Sequence, residues 1–122
     1  MEFKAKNDNS FRKIPPGMYS VDCCGCGEIT SLLGVDAHTR NIRVSFCKSF
    51  SSIQEVESAP LLERAVFEGN ANLFNLQAFS NIQFDHLKQL IIKGDWNQRL
   101  NLTEFQVKSQ SILDLRVKWC HL

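Results

Sequence analysis

The stretch that most constrains this chain is Ile29–Cys47, ITSLLGVDAHTRNIRVSFC. Leu33, Val35 and Ala37 alternate with Gly34 and Asp36, and Ile42, Val44 and Phe46 alternate with Arg43 and Ser45. A period of two on both sides of the polar run His38-Thr39-Arg40-Asn41 predicts a β-hairpin with one apolar face. The densest chemistry lies just before it, at Cys23-Cys24-Gly25-Cys26-Gly27.

Further strand patterns flank this pair. Phe3 and Ala5 suit a short edge strand within a polar N-terminal segment, residues 1–17, which is expected to be loosely ordered and closes on Pro15-Pro16-Gly17. Tyr19, Val21 and Cys23 mark a strand over Met18–Cys24. Leu61–Glu68 fits either a helix face at 61, 62, 65 and 66 with Gly69 as its stop or a strand, and the strand is preferred because Leu73–Phe79 also reads as one, joined to it at Gly69-Asn70. Leu100–Val107 alternates with a slip at Thr103-Glu104, the mark of a bulge. The cleanest alternation is the last, with Leu113, Leu115, Val117 and Trp119 opposite Asp114, Arg116 and Lys118. Ser51 and Ser52, with Gln54 and Glu55 three residues on, predict a short capped helix. Phe84, Leu87, Leu90 and Ile91, with Gly94 beyond them, predict the best helix. Phe74, Phe79 and Phe84 fall five apart, but Asn72, Gln77 and Ile82 occupy the sites where a pentapeptide repeat needs small residues, so no repeat is predicted. Without a β-α-β rhythm a parallel sheet is not expected. The resulting expectation is an α+β fold: a twisted, mainly antiparallel sheet of about six or seven strands with one or two helices, in a single domain over 1–122.

Bulk properties narrow function. At 122 residues, 43% hydrophobic and 22% charged, the chain has the balance of a globular domain able to bury its own core. The net charge of +1 comes from scattered residues, which argues against nucleic acid as partner. No apolar run approaches the roughly 20 residues of a membrane span. Five cysteines without an export signal are expected as free thiols, which places the chain in the cytoplasm.

Cys23-x-x-Cys26-Gly27 has the form of a zinc knuckle, and structural zinc takes four such ligands. A set of Cys23, Cys26, Cys47 and Cys120 is the metal-binding alternative, giving a small zinc-binding adaptor module. Against it stands the ordinary place of free cysteine, as a small apolar residue in strands. The expected cofactor is therefore none, with zinc as the alternative. No nucleophile elbow or phosphate loop is present, and His38, His86, Asp36 and Asp85 carry no local catalytic signature. From Ser51 to Gly69, Glu55, Glu57, Glu63 and Glu68 face one arginine, Arg64, an acidic stretch suited either to solvent or to a basic partner. Trp96, in the turn after the predicted helix, is read as a core lid or a partner anchor.

Three of these segments, Ile42–Phe46, Leu62–Gly69 and Leu113–Trp119, together resemble small immunity proteins of bacterial polymorphic-toxin and contact-dependent inhibition systems. That resemblance implies a cytoplasmic, non-catalytic α+β protein that binds and neutralises one toxin domain. Glu55, Glu57, Glu63, Glu68 and Trp96 are then the expected partner-binding residues. The near-neutral charge departs from the strongly acidic members that block nucleases.

Overall fold

The computed structural model describes residues 1–73, 75–94, 107, 109 and 111–118. It contains one sheet of six strands, β1 (Glu2–Lys6), β2 (Ser20–Cys24), β3 (Asn41–Ser45), β4 (Arg64–Glu68), β5 (Gln89–Lys93) and β6 (Asp114–Lys118). Each strand pairs with the next in chain order, and every pairing is parallel. The architecture is therefore a β-solenoid with almost no helix, which corrects the expected antiparallel α+β sheet. A single turn of α-helix, α1 (Ala78–Asn81), and a 3-10 segment, Gln54–Ser58, are the helical elements among the described residues.

The period is long and stretches along the chain. From the residue pairings, successive strands start 18, 21, 23, 25 and 25 residues apart. Hairpin strands are joined by a few residues, whereas parallel neighbours need a return of a dozen or more. Among the described residues the returns are bends, turns and short helical pieces, and the parallel sheet forms there without regular crossover helices.

One residue pattern recurs in each turn. Met18-x-x-Val21-x-Cys23-x-x-Cys26-x-x-Ile29 is followed by Thr39-x-x-Ile42-x-Val44-x-x-Cys47-x-x-Phe50 and Leu62-x-x-Ala65-x-Phe67-x-x-Asn70-x-x-Leu73. Leu87-x-x-Leu90-x-Ile92 opens the next turn and Ile112-x-x-Leu115-x-Val117 the last described one. Apart from Met18, Ile112, Leu115 and Val117, every residue named in this pattern is buried. A single turn has nothing beneath it to cover these side chains, and stacking supplies the cover. Phe50, Phe67, Phe79 and Phe84 form a continuous run of ring contacts with centroids 5.5–6.2 Å apart.

This pattern explains the local corrections. The three-residue steps Phe84, Leu87, Leu90 imitate a helix face but belong to the approach and entry of β5. Among the described residues of the predicted strand Leu73–Phe79, Asn75 makes an isolated β-bridge, Gln77 lies in a turn, and Ala78 and Phe79 begin α1, so no strand forms. The predicted hairpin loses its first arm. Leu33–Arg40 is a series of bends, because Gly34 (φ 109°) passes so close to Ile14 that a Cβ would overlap the Ile14 carbonyl oxygen. The predicted strand at Leu100–Val107 lies, but for Val107, outside the described residues. Elsewhere the alternation locates strands well, at β1, β2, β3, β4 and β6. The polar segment 1–17 itself contributes β1 and the buried Ile14.

The chain leaving β4 is held by Asn70. Its Nδ2 donates to the Val44 carbonyl at 2.9 Å, and its Oδ1 accepts from the Cys47 amide at 3.0 Å. Asn70→Ala orphans both buried backbone groups at about 1–3 kcal/mol each, so a loss of about 2–4 kcal/mol in urea unfolding is expected. Lys48→Ala, on an exposed side chain of the same bend, is expected to change stability by less than about 0.5 kcal/mol.

Candidate binding surface

Strand alternation divides most of the side chains between core and outer face. Val21, Cys23, Ile42, Val44, Ala65, Phe67, Leu90 and Ile92 enter the core. The residues between them form three rows across the other face of the sheet. The first is Glu2, Ser20, Asn41, Arg64, Gln89 and Asp114. The second is Lys4, Asp22, Arg43, Val66, Ile91 and Arg116, and the third runs from Lys6 through Cys24, Ser45 and Glu68 to Lys93. Lys4, Lys6, Arg43, Arg64, Lys93 and Arg116 stand against Glu2, Asp22, Glu68 and Asp114, an excess of two positive charges. Val66 and Ile91 occupy the middle of the second row but are buried, with Arg43 and Arg116 on either side.

Just before the strands, a further row is visible. The Arg40 guanidinium lies 5.9 Å from the centre of the Tyr19 ring, and its Nε is 3.8 Å from a Glu63 carboxylate oxygen. Just after the strands, the backbone turns left-handed in four successive turns. Asn7, Gly25, Phe46 and Gly69 have φ of 52°, 67°, 54° and 65°. Glycine and asparagine accept this conformation readily and phenylalanine does not. Phe46 nevertheless sits there with 59% of its surface exposed, its ring laid over Gly69 so closely that a Cβ on Gly69 would meet it at 2.5 Å.

The cysteines occupy two roles. Cys23 is an inward strand residue, and Cys26 and Cys47 hold the position that Asn70 holds one turn later. The Cys26 amide donates to Cys47 Sγ at 3.4 Å. The Cys47 thiol in turn donates to the Ser45 carbonyl at 3.4 Å, and the Cys26 thiol to the Ala5 carbonyl at 3.6 Å. These protons serve the backbone. Burial pushes the Cys23 thiol up to about 12 and the Cys47 thiol up to about 11. Among the described residues no group of three or more histidine, cysteine or acidic side chains is arranged to hold a metal, and Cys120 lies outside them.

The acidic stretch does not form one surface. Glu55 and Glu57 lie in the 3-10 segment, where Glu55 accepts from the Leu32 amide at 3.0 Å and Glu57 from the Asn81 carboxamide at 3.4 Å. Glu63 faces Arg40, and Glu68 belongs to the third row of the sheet face. Trp96 lies outside the described residues. Asp36 and His38 meet at 3.3 Å on the surface. Asp36 ties the loop, and its carboxyl is held below the usual range by hydrogen bonds from the His38 amide and then the Gly17 amide. A polar groove lined by Ser51, Ser52, Gln54, Glu57, Asn75 and Asn81 separates the 3-10 segment from α1.

Phe46, Arg43, Ser45 and the two lysines of β1 escape a reading of the sequence by motifs. Their common signal is position relative to the buried pattern of each turn. Among the described residues no helix is long and apolar enough to cross a membrane. Compared with protein families, curated proteins and solved structures, the chain matches none.

The raised thiol values define an alkaline limit. Below about pH 9 the thiols are protonated in both folded and unfolded chains. Above it the unfolded chain releases protons that folded Cys23 and Cys47 retain, so stability is lost as pH rises towards 11 and 12. The urea midpoint is expected to fall between pH 9 and 11, and to fall less steeply in Cys23→Ala. Parallel profiles for the two proteins would contradict this.

Proposed function

We propose that this chain is a non-catalytic protein-binding module that engages its partner on the outward face of the sheet, with Phe46 as an anchor. The observation that carries this reading is Phe46 itself. An exposed aromatic ring held in a left-handed backbone has a cost of about 1–2 kcal/mol that glycine would remove. Aromatic residues with large, rigid and accessible rings are the commonest anchors of protein interfaces.

The repeat supports the same reading. Its spacing, L-x-x-L-x-L-x-x-N/C, resembles that of leucine-rich repeats, in which strands line one broad face of a horseshoe. Solenoids present extended surfaces of this kind to other macromolecules. The charge distribution gives such a partner register, through Arg43, Arg64 and Glu68 around Val66. The toxin domain implied by the immunity-protein resemblance is one partner of this class. That resemblance drew on strands that run parallel, so the face carries the proposal independently of it.

The test is capture of a partner from lysate of the source organism, followed by affinity measurement with variants. Phe46→Gly is expected to keep or raise the thermal midpoint and to weaken the captured partner by about 1 kcal/mol or more, roughly fivefold. Unchanged affinity would remove Phe46 from the interface. A captured protein that is toxic when expressed alone would identify the module as an immunity-type inhibitor.

A further inference from the structure

The sheet face is not uniform, and its β1–β3 end holds a shallow groove of roughly 230 Å³ lined by Lys4, Lys6, Asp22, Cys24, Arg43 and Ser45. Lys4, Asp22 and Arg43 are in register across the three strands, and Lys6, Cys24 and Ser45 form the adjacent row. Neighbouring strands are about 4.8 Å apart and alternate residues about 6.6 Å apart, so the three cations ring one spot above Cys24. Asp22 is the one carboxylate in the lining, and Glu68 stands beside Ser45 on the next strand. Lys4, Lys6 and Arg43 are exposed and make no side-chain hydrogen bond or ion pair among the described residues.

A second observation points to a ligand. Ser45 is 2% exposed, and its Oγ is the one buried side-chain polar atom without a hydrogen-bond partner among the described residues. Buried hydroxyls are nearly always partnered. This one belongs to a residue in the wall of a groove surrounded by three cationic side chains, with the oxygen itself shut off from solvent.

Resting on the protein-binding reading of this face, we infer that the groove is an anion subsite that takes an Asp or Glu side chain from an acidic segment of the partner. Exposed ion pairs contribute little each, so a free small anion gains little here. A carboxylate tethered to a partner already seated over Phe46 acts at high effective concentration. Phe46 follows Ser45 directly, so one extended segment reaches both.

Cys24 supplies an internal reporter. It is half-buried in the groove, while Cys23, Cys26 and Cys47 are buried. The ratio of alkylation rates with anionic iodoacetate and neutral iodoacetamide, read at the Cys24 peptide by mass spectrometry, cancels the thiolate fraction and reports local potential. The expected ratio is several-fold above that of a cysteine amide, lowered by Arg43→Gln or Lys6→Gln and by 0.5 M salt, and retained in Arg43→Lys. A wild-type ratio at the level of the model amide overturns the subsite. Capped hexaglutamate is expected to slow Cys24 labelling by iodoacetamide, and hexaglutamine is not. Equal protection by inorganic phosphate at the same concentration would mean a free-anion site and overturn the acidic-segment assignment.

The two readings fail separately. Loss of the captured partner in both Phe46→Gly and Arg43→Gln supports the subsite within the interface. Loss in Phe46→Gly alone leaves the protein-binding face standing and overturns the subsite's role in it. Circular dichroism of each surface variant, expected to match the wild type, confirms that folding is not the cause.

Discussion

Every turn of this solenoid depends on its neighbours for both backbone and side-chain partners. The parallel ladder leaves the chain at the end of each strand with amides and carbonyls that must bond elsewhere, and the next turn supplies the bond. Asn70 reaches back to Val44 and Cys47, and Cys47 accepts from Cys26. The left-handed residues at the same level continue the stacking, with the Gly25 amide donating to Ser45 and the Phe46 amide to Glu68. A buried column that is polar on the backbone side and apolar on the side-chain side leaves little freedom for slippage, because one residue of shift would place charged side chains in the core.

That internal division frees the outer face of the sheet. The core takes every second strand residue, and most of the remaining ones, apart from the buried Ser45, Val66 and Ile91, are released from packing to carry charge and register. The result is a surface whose chemical character resides in rows running across strands, each row assembled from residues about twenty positions apart in the chain. Phe46 is the conspicuous departure from the internal rules. It breaks the backbone preference that Asn7, Gly25 and Gly69 respect, and its ring remains largely in solvent. Sites where a local preference is broken without internal benefit are where binding surfaces are to be sought.

The cysteines show how residues close in sequence come to hold different structural positions. Cys23-x-x-Cys26-Gly27 has the spacing of a metal knuckle, yet Cys23 and Cys26 lie on different structural positions, one inside a strand and one at its exit. Cys26 is better understood beside Cys47 and Asn70 than beside Cys23. The acidic stretch divides in the same way, since Glu55 and Glu57 belong to a connector, Glu63 precedes β4 and Glu68 ends it.

The sequence by itself determined where most strands lie and, in β2 and β3, which apolar residues face the core, because alternation is a local property of an extended chain; in β6 the same alternation leaves Leu115 half exposed. It also contained the repeat, in Thr39, Ile42, Val44 and Cys47 and their counterparts, although the unequal spacing and the mixture of leucine, threonine, cysteine and alanine at equivalent sites obscured it. The direction of pairing was decided only in three dimensions, since alternation is the same in parallel and antiparallel sheets. The same holds for the outward face. Lys4, Cys24, Ser45 and Phe46 become neighbours only because parallel strands stack in register, and no local property of the chain encodes that meeting.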